Sequence, residues 1–198
     1  ISNQSFEKVA LPRGLQRLTL GRNSNQSWEK VALPTGLKSP AERYLDVHPA
    51  LGEGGSAKWP AVITFGRDFN QSWEKGALPS VLLSLTLGLM FNQRLEMGAL
   101  PRGLQRFTFG RDFNPSLENG ALPSGLLSLI FGLMINQRLE KVALPRGLQR
   151  FTFGRDFNQS LEKGALPSSL LSLIFGLMFN QRLEKVALPR GLQRFTFG

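Results

Sequence analysis

The only imidazole in the chain, His48, stands two residues after Asp46 and directly before Pro49. A base beside a carboxylate is the start of general-base chemistry, which also needs a group to deprotonate and donors for the charge that develops. The surrounding sequence supplies neither, and a lone histidine in a loop before proline reads as a solvated residue. Glutamates recur at fixed phase, as at Glu140, Glu162 and Glu184, each followed within its repeat by Lys, Met or Asn. Such a row reads as a charge ladder offset by its lysines. Glycines also recur once per repeat, which makes them turn glycines, and no dinucleotide-binding or Walker-type loop exists. Zero cysteines exclude disulfides, thiolate metal sites and a cysteine nucleophile, and one histidine excludes His-rich metal sites. The reading is non-enzymatic, with no catalytic or metal residues and no cofactor.

What remains is binding chemistry. The 198 residues carry 24 Lys+Arg against 14 Asp+Glu, a formal charge of +10. The excess is periodic. Residues 136–157 hold Arg138, Lys141, Arg146, Arg150 and Arg155 against Glu140 and Asp156, giving +3, whereas residues 158–179 hold only Glu162 and Lys163. Basic segments therefore alternate with neutral ones.

These side chains are positioned by a repeat. Asn recurs at Asn3, Asn25, Asn70, Asn92, Asn114, Asn136, Asn158 and Asn180, and every step but one is 22 residues. The unit is well represented by FNQRLEKVALPRGLQRFTFG at 179–198. Residues 110–153 and 154–197 differ at only four of 44 positions, so a two-coil unit has been duplicated. Within each unit an L-x-x-L-x-L spacing appears twice, as Leu183, Val186, Leu188 and as Leu192, Phe195, Phe197. Both are too short and too interrupted by Pro and Gly for a helix, while their alternation suits short strands with one buried face.

Stacked coil on coil, these segments predict a mainly β repeat solenoid, with leucine-rich-repeat-like right-handed coils of 22 residues and two short parallel strands per coil. Each repeat position then becomes a row of side chains about 4.8 Å apart. The asparagines are expected to form a structural ladder, their amides bonding one another and the turn backbone. The expected core is Leu139, Val142, Leu144, Leu148, Phe151, Phe153, Phe157 and their equivalents. Gly76, Gly98, Gly120 and Gly164 fall where other coils hold Val9, Val31, Val142 and Val186, so a cavity is expected there, filled by Met90, Met134 or Met178.

The chain is read as one repeat domain, 1–198, of eight coils, a fragment of something longer. The irregular step from Asn25 to Asn70 marks an insertion over 40–62, whose removal joins Leu37-Lys38-Ser39 to Ile63-Thr64-Phe65-Gly66 in phase. Ser39-Pro40-Ala41-Glu42 has the signature of a capped helix over 40–47, and 52–56 reads as loop. A decayed coil and non-coding read-through remain alternatives for this segment.

On the second strand the outward positions of basic coils are Arg106/Thr108, Arg150/Thr152 and Arg194/Thr196. In neutral coils they are Ser84/Thr86, Ser128/Ile130 and Ser172/Ile174, with Leu83, Leu127 and Leu171 at the strand entry. A face mixing guanidinium groups with aliphatics suits a protein partner. The candidate binding residues are Arg106, Thr108, Leu127, Ile130, Arg150, Thr152, Leu171, Ile174 and Arg194. Two alternatives are a polyanion or nucleic acid held by the arginine rows, though the phenylalanines point inward and offer no base stacking, and a repeat array with no specific ligand. The longest apolar runs, such as 170–179, are about ten residues, half of what spans a bilayer. The repeat also begins and stops without a polar cap, so self-association through uncapped ends is expected.

The F-N-Q-x-L…L-P-x-x-L-x-x-L-x-F-G unit resembles the FNIP repeat, a 22-residue relative of the leucine-rich repeat. The resemblance covers all of the chain except 40–62. It departs at the fourth motif position, where the family's common Pro is Ser or Arg, and Pro115 sits one place earlier. The resemblance implies a scaffold for protein binding, in some proteins attached to F-box or kinase domains.

Overall fold

The computed structural model describes residues 17–19, 50–51, 57–58, 62–73, 75–139, 144–183 and 188–198. The strands in chain order are β1 (Arg17–Thr19), β2 (Ala50–Leu51), β3 (Ala57–Lys58), β4 (Val62–Thr64), β5 (Ser84–Thr86), β6 (Arg106–Thr108), β7 (Ser128–Ile130), β8 (Arg150–Thr152), β9 (Ser172–Phe175) and β10 (Arg194–Phe197). All but β2 and β3 form one eight-stranded sheet in the order β1-β4-β5-β6-β7-β8-β9-β10. Its pairs are parallel, and from β4 onward every residue pairs with the one 22 positions later, as Arg106 with Ser128. The alternation of the L-x-x-L-x-F segment dictates this. The middle residues Ile63, Leu85, Phe107, Leu129, Phe151 and Leu173 are fully buried, while their neighbours face outward.

β4 pairs in register with β1 although Arg17 and its partner Val62 are 45 residues apart. Between them, β2 and β3 form a separate antiparallel pair. The helix expected over 40–47 lies outside the described residues, as do Asn3, Asn25 and Val142.

Where a coil is described throughout, after β5, β6 and β8, it returns to the next strand through three reverse turns closed by N–H···O=C bonds. After β6 these run from Phe113 to Gly110 (3.4 Å), Ala121 to Glu118 (3.1 Å) and Leu126 to Pro123 (3.2 Å). At the first turn the coils touch through their backbones. A Cβ on Gly132 would run into the carbonyl oxygen of Gly110, and one on Gly176 into that of Gly154. Only glycine lets two coils stack at strand spacing there.

The core is a continuous column of Phe and Leu with no buried polar side chain among the described residues. One row runs through Phe69, Phe91, Phe113, Ile135, Phe157 and Phe179. Its rings stack nearly parallel at 6.0 to 6.2 Å and are interrupted only at Ile135. Of the expected core set, Leu139, Leu148, Phe151, Phe153 and Phe157 are buried, and Leu144 is half-buried against them.

Three expectations are corrected. The described coils hold one sheet strand each. In the coils that carry glycine, the L-E-x-x-A-L-P half is a chain of turns, because that glycine takes positive φ (+82 to +89° at Gly76, Gly98, Gly120 and Gly164), a conformation no strand contains. Those four glycines are exposed and border no cavity, since the turn swings them away from the core. Met90, Met134 and Met178 accordingly fill nothing and are exposed on another corner of the coil.

Candidate functional site

The outer sheet face is built from three rows that run across the strands. The first strand residues give Arg106, Ser128, Arg150, Ser172 and Arg194, each paired with the next. Two residues on, the same registers align Thr108, Ile130, Thr152, Ile174 and Thr196. At the strand entry Leu127 and Leu171 alternate with Gln105, Gln149 and Gln193. The backbone N–H of Leu127 donates to the Gln105 carbonyl at 2.9 Å, and that of Gln149 to Leu127 at 2.9 Å. The three arginines and Ile130 are exposed, whereas Thr108, Thr152, Leu127, Leu171 and Ile174 are half-buried. The seven strand candidates thus share one face, and Leu127 and Leu171 stand half-buried at its entry edge.

Its charge is not neutralised from within. Among the described residues the ion pairs are Arg67 with Asp68, Arg94 with Glu118, Arg111 with Asp112 and Arg155 with Asp156. Every turn arginine of the R-D type is matched by its own neighbour, and none of Arg106, Arg150 and Arg194 is matched.

Sequence reasoning missed the corner that follows each strand. Leu89-Met90, Leu133-Met134 and Leu177-Met178 are exposed there, from 42% for Leu133 to 65% for Leu177. They alternate coil by coil with Arg67-Asp68, Arg111-Asp112 and Arg155-Asp156, and bonds such as Asp112 N–H to the Leu89 carbonyl hold the register at 2.9 Å. The signal was available in the sequence. Stacked coils share one environment per position, so a position filled by Arg-Asp in one coil faces water in the next. Each neutral coil therefore shows an apolar strip, such as Leu127, Ile130, Leu133 and Met134, between two coils bearing arginine.

The asparagines follow two residues after this corner. Asn92 N–H donates to Asn70 Oδ1 at 2.9 Å, Asn114 to Asn92 at 3.0 Å, Asn158 to Asn136 at 2.9 Å and Asn180 to Asn158 at 2.9 Å. The side-chain amide nitrogens of Gln93, Gln159 and Gln181 donate to the same oxygens. The amide oxygen of one coil thus accepts from the backbone and glutamine of the next, and from Asn92 to Asn180, among the described residues, the bonds between asparagines run amide to backbone and not amide to amide.

His48 and Asp46 lie outside the described residues. Among the described residues no three His, Cys, Asp or Glu side chains gather as a metal site would need, and no helix is long and apolar enough to cross a membrane.

The sequence profile of the FNIP Repeat matches residues 3–39, 91–133 and 136–177, more than half of the chain. Among solved structures, the chain is similar to the crystal structure of CroV588, described as a novel circular LRR protein structure. The TM-score is 0.65 at 33% sequence identity, over 94% of this chain and 31% of that one. The chain spans about a third of that protein's length. A comparison with curated proteins finds no match.

Proposed function

The chain belongs to the FNIP repeat family, and from that premise we propose that it is a non-enzymatic protein-interaction scaffold that binds through the outer face of its parallel sheet. Stacked-coil solenoids of this type present long, regular surfaces whose use is binding. One observation carries the choice of face: Arg106, Arg150 and Arg194 stand exposed and without an ion pair among the described residues, and the apolar strips of the coils holding Ile130 and Ile174 lie between them. Guanidinium groups beside aliphatic surface are the composition of protein interfaces. The segment 40–62 is proposed as an insertion that leaves and re-enters one coil, a reading supported by the in-register pairing of β1 with β4.

Affinity capture with this chain and with an Ile130→Asp/Ile174→Asp variant tests the reading. A protein partner should stay bound as salt is raised and should be lost by the variant, because contacts to aliphatics are not screened. Equal capture by the variant overturns the choice of face. The second reading, a polyanion ligand, is favoured by the net charge of +10 and the unmatched strand arginines. It predicts retention on heparin that falls steeply with salt.

A further inference from the structure

We infer that the sheet face takes one class of partner: an extended proline-rich segment in polyproline II conformation, carrying a carboxylate at every third residue. The inference rests on the scaffold reading above and adds the chemistry of the partner.

The spacing leads to it. Arg106, Arg150 and Arg194 occupy every second strand of a parallel sheet, in register through Ser128 and Ser172. Strand separation in sheets places such rows about 9.6 Å apart. A chain lying across the strands must therefore bring an acidic group to the surface at that interval. An extended β-strand covers it in about three residues, but three is odd, so successive carboxylates would point to opposite faces. An α-helix returns to one face after seven residues, about 10.5 Å, and drifts by about 1 Å at each arginine. A polyproline II helix has three residues per turn and a rise of about 3.1 Å, so one face repeats every 9.3 Å or so. Across both intervals from Arg106 to Arg194 its mismatch is about 0.6 Å by the same geometry, within the reach of a flexible guanidinium.

The remaining residues of each turn meet the rows on either side. Ile130 and Ile174 flank the arginine row on one side, and Leu127 and Leu171 on the other, all in the coils between arginines. An aliphatic residue and a proline in each triplet suit those flanks. Proline also fixes the extended conformation beforehand, so little ordering entropy opposes binding. The charge is complementary and unclaimed, since no carboxylate of the described residues pairs with these arginines.

The test uses the 198-residue chain and a synthetic peptide of repeated Glu-Pro-Leu triplets, with binding followed by fluorescence anisotropy at physiological salt. A peptide of the same composition with its glutamates clustered at one end is the control. The periodic peptide should bind about tenfold more tightly than the control, a difference of about 1.4 kcal/mol. Arg150→Ser, which writes the residue of the neutral coils into a basic one, should weaken it by roughly two- to fivefold. That variant's melting temperature should not change. Equal binding of the two peptides, or tighter binding of heparin than of the periodic peptide, overturns the inference. If neither peptide binds while the Ile130→Asp/Ile174→Asp variant still loses its captured protein, the scaffold reading stands and only this partner chemistry fails.

Discussion

Residues 110–153 and 154–197 are two copies of one two-coil unit, and their four differences separate what the solenoid requires from what it tolerates. Where the first copy has Pro115 the second has Gln159, whose amide nitrogen donates to Asn136 Oδ1 at 3.1 Å. Around Pro115 the neighbouring rung is rebuilt. Gln137 takes the Leu117 N–H at 2.9 Å and donates to the Asn114 carbonyl at 3.3 Å, whereas its counterpart Gln181 donates to Asn158 Oδ1 at 3.0 Å. Where the first copy has Gly125 the second has Ser169, whose single hydroxyl proton is within reach of two carbonyl oxygens, Arg146 at 2.6 Å and Leu148 at 2.7 Å. Ile135 against Phe179 breaks or continues the stacked ring row. Nothing in the structure explains Asn119 against Lys163. Three of the four differences thus act between coils, through bonds or contacts that are small and replaceable one at a time. Where backbone meets backbone, at Gly132 and Gly176, the copies agree.

The largest effect should come from that agreement. Gly132→Ala and Gly176→Ala each force two coils apart, since the obstacle is a carbonyl oxygen of the adjacent coil with no flexible side chain to yield. Each should cost about 4 kcal/mol or more, the range of severe core disruption. Urea unfolding of both variants checks it. A loss near 1 kcal/mol in either, or a clear difference between the copies, would show that the coils can slide past the contact.

The asparagine rungs should rank next, and here the copies should differ. Asn158→Ala removes an acceptor for both Asn180 N–H and Gln181 Nε2, at roughly 1 to 3 kcal/mol. Asn114→Ala should cost less, because among the described residues neither Asn136 N–H nor Gln137 donates to its side-chain oxygen. Thermal melts of the two variants side by side decide the point. Equal losses would mean that the rungs contribute through local turn geometry and not through coil-to-coil bonds.

The 22-residue asparagine spacing already contained the register, since paired strand residues from β4 onward differ by that number. The inward phase of Phe107, Phe151 and their row was equally legible from the alternation of the L-x-F segment. The other half of the coil was not. Leu183, Val186 and Leu188 carry the same spacing as a strand, and nothing in it reveals that Gly120 or Gly164 turns the chain through positive φ. The proposed binding face was half legible. Arginine phase placed Arg106, Arg150 and Arg194 outward, but Met134 was expected to fill a cavity and is exposed. The Arg-Asp pairs at the same phase carried the correcting signal.

That misread glycine offers a smaller test, isolating conformation from crowding. Gly164 has φ +89°, and a Cβ there meets nothing within 4 Å. Gly164→Ala should therefore cost only the left-handed penalty, about 1 to 2 kcal/mol, and Gly164→Asn less, since asparagine tolerates this region. Its contrast with Gly132→Ala in one denaturant series separates the two reasons for glycine in the same fold. Equal losses at Gly132 and Gly164 would remove the distinction.

The smallest expected effect is a repair of the first copy toward the second. Ile135 lies fully buried in the row where Phe113 precedes it and Phe157 follows. The same slot in other coils holds Phe69, Phe91 and Phe113, also fully buried, with rings 6.0 and 6.2 Å apart and almost coplanar in orientation. A ring at 135 would thus meet a stacked neighbour on either side in a backbone setting already shaped for phenylalanine. Overpacking opposes the change, at about 1 to 3 kcal/mol where a site cannot adjust. The repeated slot argues that this site can, leaving the gain of two offset ring contacts at about 0.5 kcal/mol or more. Ile135→Phe should accordingly raise the melting temperature slightly. A loss of stability would place the coils on either side of Ile135 closer together than their equivalents, and would make that position a specific adaptation of the first copy.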